Sequence, residues 1–180
     1  MKKTKKKAKK KAAAKETTSL LTKETVKRVA AALEAAGLEG RIVELKEKAR
    51  TAEDAAKALG VEQGSIVKSL VFLIGEQPVL ALVAGDHVCR PENLPRALNL
   101  EGDVRKADAD EVQAASGFSI GGVAPVGLAL ELPMVIDVSL KRFETLYAAA
   151  GHPGCVFSAS VTELKRLTKA IVSYNIAQPR

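Results

Sequence analysis

Cysteine and histidine are scarce, with two of each in 180 residues. Cys89 and Cys155 lie far apart, with no C-x-x-C and no histidine at a ligand spacing. Neither a structural disulfide nor a metal site is therefore expected, and both thiols read as small packing groups. His87 (in Gly-Asp-His) and His152 (in Gly-His-Pro-Gly) stand in turn-like contexts without an obvious nucleophile beside them, so they read as surface loop residues rather than members of a triad. No apolar run approaches the roughly 18 residues of a membrane span, and no secretory apolar segment follows the N-terminal lysines. A membrane is thus not an expected partner, and the cytoplasm is the expected location.

Acidic residues are missing from the first 15 positions, which hold nine lysines: Lys2, Lys3, Lys5, Lys6, Lys7, Lys9, Lys10, Lys11 and Lys15. They account for the formal charge of +7; the other 19 basic residues stand against all 21 acidic ones, so the rest of the chain is about −2. Attraction to nucleic acid through net charge belongs to this arm. We read residues 1–19 as a disordered lysine-rich arm and residues 20–180 as one domain, long enough to bury a core. Hydrophobic content of 47% and charged content of 27% fit that division.

Apolar positions at helical spacing predict a helix over 22–36, stopped by Gly37. Residues 41–45 predict a short strand. Thr51 caps a helix through Leu59, with Asp54 at the capping-box position and Gly60 ending it. Two apolar runs, 67–74 and 78–84, predict a hairpin through Gly-Glu-Gln. Short helices are predicted at 91–98 and 108–115, a strand at 134–138, a hairpin combining 143–149 with 155–158, and a last helix at 161–167 behind Ser160. Irregular alternation with several hairpins points to an α+β domain with a mixed, mostly antiparallel sheet.

Two segments stand out. Ile66–Ile74 has apolar residues at both parities, the mark of a strand buried on both faces, yet it contains Lys68. Alternation puts Lys68 on the face of Leu70 and Phe72, and Ser69 on the face of Val71 and Leu73. An ammonium aimed at an apolar layer must meet an anion, reach a cleft or lose its proton more easily; the plain alternative is a lysine that snorkels to solvent. The second segment, Gly117–Gly127, has four glycines, one proline and no charge. It lacks both the G-x-G-x-x-G spacing and the lysine of a phosphate-binding loop. Its glycines serve either a tight connection or the close approach of backbone N–H groups to a ligand. Asp137 ends Met134-Val-Ile-Asp as a turn cap or a functional carboxylate.

T-A-E-D-A-A-K-A-L-G-V (51–61), I-V-K-S-L-V-F (66–72), G-F-S-I-G-G-V-A-P-V-G (117–127) and V-I-D-V-S-L (135–140) together resemble, in order and spacing, the YbaK/ProX family of aminoacyl-tRNA-editing proteins. The likeness runs from about Val26 to the C-terminus and excludes the lysine arm. It implies a single α+β domain with a mixed, curled sheet. It also implies a freestanding deacylase that cleaves a wrongly attached amino acid from tRNA; related members act on tRNA(Pro) carrying cysteine or alanine. By the same resemblance the essential lysine falls on Lys68, the neighbouring hydroxyl on Ser69, and the substrate loop on Gly121, Gly122, Val123, Ala124 and Pro125. Asp137 would hold the α-amino group. Lys68 would anchor the carbonyl or a phosphate, and the Gly121 and Gly122 amides would receive the oxyanion. No cofactor is implied. Aminoacyl-tRNA is the expected partner, with an aminoacyl-tRNA synthetase as a further one and the lysine arm gripping tRNA. Two other classes compete with this reading: a module that binds aminoacyl-tRNA or nucleotide without hydrolysing it, and a basic-arm nucleic-acid-binding protein with a passive domain.

Overall fold

The structure, a computed structural model, describes residues 18–47 and 49–180. The lysine arm's residues 1–17 lie outside the described residues. In chain order the elements are α1 (Glu24–Ala35), β1 (Ile42–Glu44), α2 (Ala52–Leu59), β2 (Ile66–Ile74), β3 (Gln77–Ala84), β4 (His87–Cys89), α3 (Leu94–Leu98), β5 (Val104–Lys106), α4 (Ala109–Ser116), β6 (Met134–Asp137), β7 (Leu146–His152), β8 (Cys155–Ala159), α5 (Val161–Thr168), β9 (Ile171–Ser173) and β10 (Ala177–Pro179). The main sheet runs β1-β8-β7-β2-β3-β6-β9, with β5 also paired to β2; β10 pairs with β4 separately. Its β2·β7, β3·β6 and β6·β9 pairs are parallel and the rest antiparallel, the mixed α+β architecture expected from the sequence.

β3 is the centre of the core. Val79 to Ala84 are fully buried; Leu80, Leu82 and Ala84 pack into one cluster with Val29, Leu33 and Phe118, while Val79, Ala81 and Val83 pack into a second with Phe72, Leu94 and Val135. Each such Val or Leu contributes about 1.5–3 kcal/mol by leaving water. The hairpin register sets Ile74 opposite Gln77, so Gly75-Glu76 forms the turn. α1 buries Val26, Val29 and Leu33 and ends in a Schellman turn, Leu38 N–H donating to Leu33 C=O at 2.9 Å. Capping boxes start α2 (Thr51/Asp54), α4 (Asp108/Glu111) and α5 (Ser160/Glu163).

The expected strand 134–138 stops one residue early. Asp137 Oδ1 accepts the Ser139 N–H at 3.0 Å and so opens a 3-10 turn over Val138–Arg142. Phe143 closes that turn and stacks under Arg142 at 4.9 Å, so β7 starts only at Leu146. β4, β5, β9 and β10 were not expected from the sequence. Each has three residues, too few to display a period of two.

Candidate functional site

The curl of the sheet leaves an opening at β2. On the side away from β3, β7 pairs with Ile66 and Val67, and β5 pairs with Phe72 to Ile74. Among the described residues, 68–71 have no strand partner there, and only the Val71 carbonyl accepts a backbone bond, from the Ala107 N–H at 3.2 Å. Within β2 the half-buried residues are Lys68, Ser69 and Leu70, while the residues before and after them are buried. A pocket of about 430 Å³ sits over this gap. Its floor is Ile66–Val71; its walls include the start of α2, the end of β5, Ile120, Gly121 and Val123, and Tyr147 and Cys155 from the β7–β8 hairpin.

Lys68 pairs in register with Val83 and shares the face of Leu70 and Phe72, as alternation requires. Its Nζ donates to the His87 carbonyl of β4. Burial pulls the ammonium below its ordinary pKa, and the nearby Arg180 charge adds to that pull. Behind this contact lies a polar cluster that the sequence did not announce. Asp86 Oδ1 accepts from Arg142 Nη2 at 2.7 Å and meets His87 Nδ1 at 2.7 Å. The Arg142 guanidinium holds the Asp86 carboxyl down at about 2, with the His87 contact assisting after it. Arg142 Nε also donates to Ser139 C=O within the turn after β6, and its pair with Asp86 ties that turn to the residue preceding β4. His87 is therefore not a free loop residue; its side chain is only 12% exposed. His152 Nδ1 accepts from the Gly154 N–H at 2.9 Å, which tightens the β7–β8 turn.

Ser69 lines the pocket on the opposite face, and its Oγ is buried without a hydrogen-bond partner among the described residues. Such a hydroxyl is free to meet a ligand. Burial pushes the Cys89 and Cys155 thiols up to about 11, so neither is a thiolate nucleophile near neutral pH.

The glycine-rich segment is held at both ends by Arg28 of α1. Its guanidinium donates to the Gly127 carbonyl at 2.6 Å and the Gly117 carbonyl at 3.0 Å, and it stacks over Phe118 at 4.5 Å. Of the residues the sequence singled out here, Gly121 and Val123 reach the pocket wall. Gly122, Ala124 and Pro125 are buried behind it. The Gly122 N–H donates to the Ser119 carbonyl at 3.0 Å, so this amide already has an acceptor. A Cβ on Gly122 would stand 3.0 Å from the His152 backbone. Gly121 is exposed, with φ +89. Asp137 is 2% exposed and does not line the pocket. Its Oδ1 accepts from the Ser139 N–H and Oγ, and its Oδ2 is buried without a partner among the described residues. Among the described residues no group of three His, Cys, Asp or Glu could hold a metal ion, and no helix is long and apolar enough to cross a membrane.

Comparison with known proteins places these features in context. Residues 46–167 match the family described as aminoacyl-tRNA editing domain. The chain is 34% identical over 131 residues to the uncharacterized protein YwhH of Bacillus subtilis (strain 168), covering 72% of this chain and 82% of that one. It is 33% identical over 101 residues to a proline–tRNA ligase of Citrifermentans bemidjiense, covering 56% of this chain but only 18% of the ligase. Among solved structures it superposes with a TM-score of 0.78 and 39% identity on a candidate trans-editing enzyme for prolyl tRNA synthetase, covering 84% of this chain and 96% of that one.

Proposed function

We propose, from the premise that the chain belongs to the aminoacyl-tRNA editing domain family, that it is a trans-editing deacylase hydrolysing the ester between a wrongly attached amino acid and the terminal adenosine of tRNA. The observation that carries this reading is the convergence of Lys68, the unpartnered Ser69 hydroxyl and Gly121 on one pocket over the unpaired stretch of β2. An aminoacyl ester is already activated, so its hydrolysis needs placement and charge stabilisation more than a strong protein nucleophile. The Lys68 cation, held in a partly desolvated position, faces the developing oxyanion. The Gly121 N–H is the backbone donor beside it, because the Gly122 amide is spent on Ser119. Ser69 Oγ fixes the ester or ribose. The attacking group is water or a group of the substrate itself.

Asp137 was assigned the α-amino group by the resemblance. Buried outside the pocket lining, it holds the 138–142 turn that carries Arg142 to Asp86. The names of the relatives favour tRNA(Pro) as the substrate; alanine or cysteine as the amino acid removed is what the family resemblance implies. A synthetase pocket cannot strongly reject a smaller side chain by binding alone, which gives a separate deacylase its use. Incubating the purified chain with tRNA(Pro) charged with labelled alanine, cysteine or proline tests the reading. Release of alanine or cysteine above the uncatalysed rate supports it; binding without release of any of the three overturns it.

The lysine arm is proposed to hold tRNA phosphates without reading sequence. Removing residues 1–15 should flatten the slope of log affinity against log salt by about 0.7–0.9 for each lysine engaged. KM should rise while the saturated rate stays put, since uniform binding does not lower the chemical barrier. An unchanged KM and slope would assign the arm some other task.

A further inference from the structure

The mouth of the pocket carries an unbalanced charge. Arg50, Lys106 and Arg180 line it together with Lys68, and the acid on the same wall, Glu53, is already paired with Lys57 at 2.7 Å. Arg50, Lys106 and Arg180 are exposed, and among the described residues their side chains take part in no ion pair or hydrogen bond. Most arginines of the domain are engaged: Arg28 with carbonyls, Arg41 with Glu163, Arg90 with Glu92, Arg105 with Glu111 and Arg142 with Asp86. The three free cations come from separate parts of the chain: the turn before α2, the end of β5 and the residue after β10. Residues 16–180 carry about −2, so this positive rim is local, and a concave site of one sign concentrates the field on an anionic ligand.

We infer that Arg50, Lys106 and Arg180 form a phosphate-gripping rim that holds the single-stranded nucleotides preceding the terminal adenosine of an RNA 3′ end, while the pocket takes the acylated ribose. The rim rests on the editing reading for the identity of its ligand. Free guanidinium and ammonium groups at the lip suit phosphodiesters, which need charge and donors but no base-specific geometry. The rim differs from the lysine arm in what it grips. The arm is proposed to read no feature of the RNA beyond its charge, whereas the rim requires an unpaired end that enters the pocket.

A fluorescein-labelled RNA hairpin ending in a single-stranded CCA tail, and the same hairpin with a blunt end, are titrated with the full chain by anisotropy over a salt series. The arm contributes equally to wild type and variants. Combined Arg50→Gln, Lys106→Gln and Arg180→Gln should weaken tailed-hairpin binding by roughly tenfold or more. The salt slope should fall by about 0.7 for each residue engaged on a single strand, with the blunt hairpin unaffected. Arg96→Gln is the control: its guanidinium also lacks a partner among the described residues, but it does not line the pocket. An unchanged slope on the tailed hairpin, an equal loss on the blunt one, or an equal loss in Arg96→Gln overturns the rim. The RNA carries no amino acid, so the outcome does not depend on hydrolysis. A rim response with no deacylation of any acyl-tRNA would instead refute the proposed function.

Discussion

Replacing Lys68 with alanine should lower deacylation by roughly 100-fold or more, the usual loss when one donor to a developing charge is removed. The fold should survive. The lost contact is a single charge-assisted bond to the His87 carbonyl, worth about 1.5–3 kcal/mol net, or a shift of several degrees in Tm for a domain of this size. Lys68→Met sharpens the comparison. Burial holds the folded-state pKa of Lys68 below the 10.5 of a free lysine, so the unfolded chain keeps this proton to higher pH than the folded one. Folding therefore disfavours the charged form, and wild-type stability from this group should rise as pH climbs from the folded pKa towards 10.5. At neutral pH an apolar side chain of similar length should be about as stable as the lysine and should still be inactive. An activity that needs the cation should also decline on the alkaline side below 10.5. Near wild-type turnover by either variant, with the protein folded by circular dichroism, would remove Lys68 from the mechanism.

The second large effect separates two neighbouring glycines. Gly121→Ala puts a side chain where φ is +89, at a cost of about 1–2 kcal/mol. Its Cβ meets nothing closer than Pro153 Cγ at 3.4 Å. The strain is relieved by rotating the adjoining peptides, which re-aims the Gly121 N–H at the pocket wall. Activity per folded molecule should fall by tenfold or more, as for a misplaced donor. Gly122→Ala instead crowds the backbone of Gly151 and His152 at 3.0–3.1 Å in a buried position. Overpacking of this kind costs about 1–3 kcal/mol, a loss of several degrees in Tm. The remaining folded molecules should keep their rate within a few-fold, because the Gly122 amide serves Ser119. Thermal melts paired with single-turnover rates decide the matter. If Gly122→Ala is the variant that loses rate per folded molecule, the oxyanion site includes the amide assigned here to the turn.

The sequence made the centre of the fold and part of the site readable, for physical reasons that differ by residue. β2 and β3 are long, apolar at both parities and joined by Gly75-Glu76, so their pairing and the facing of Lys68 and Ser69 follow from alternation alone. The capping pairs Thr51/Asp54 and Asp108/Glu111 fix helix starts through contacts three residues apart, which a linear reading can see. Asp86 and Arg142 are 56 residues apart, and no local pattern joins them before β3 and the turn after β6 meet. Arg28 looks like an ordinary helix-surface cation in sequence; its grip on Gly117 and Gly127 exists only once α1 lies against that segment. Gly121 and Gly122 are identical in sequence. One is open to the pocket and the other is pressed on a backbone, a distinction that only the β7–β8 hairpin creates. The three-residue strands draw their order from their partners: β10 contains Pro179 yet pairs with β4 in register from Ala177 opposite Cys89 to Pro179 opposite His87.

Release of an amino acid from tRNA through Lys68 is measured by the single-turnover rate at which purified wild-type chain and Lys68→Met discharge labelled alanyl-tRNA(Pro) and cysteinyl-tRNA(Pro), with prolyl-tRNA(Pro) alongside. With wild type the alanyl or cysteinyl ester should be lost rapidly and the prolyl ester little, while with Lys68→Met each should be lost near the uncatalysed rate. Equal rates for wild type and the variant, or no discharge by a wild-type chain that binds these tRNAs, would contradict release through Lys68.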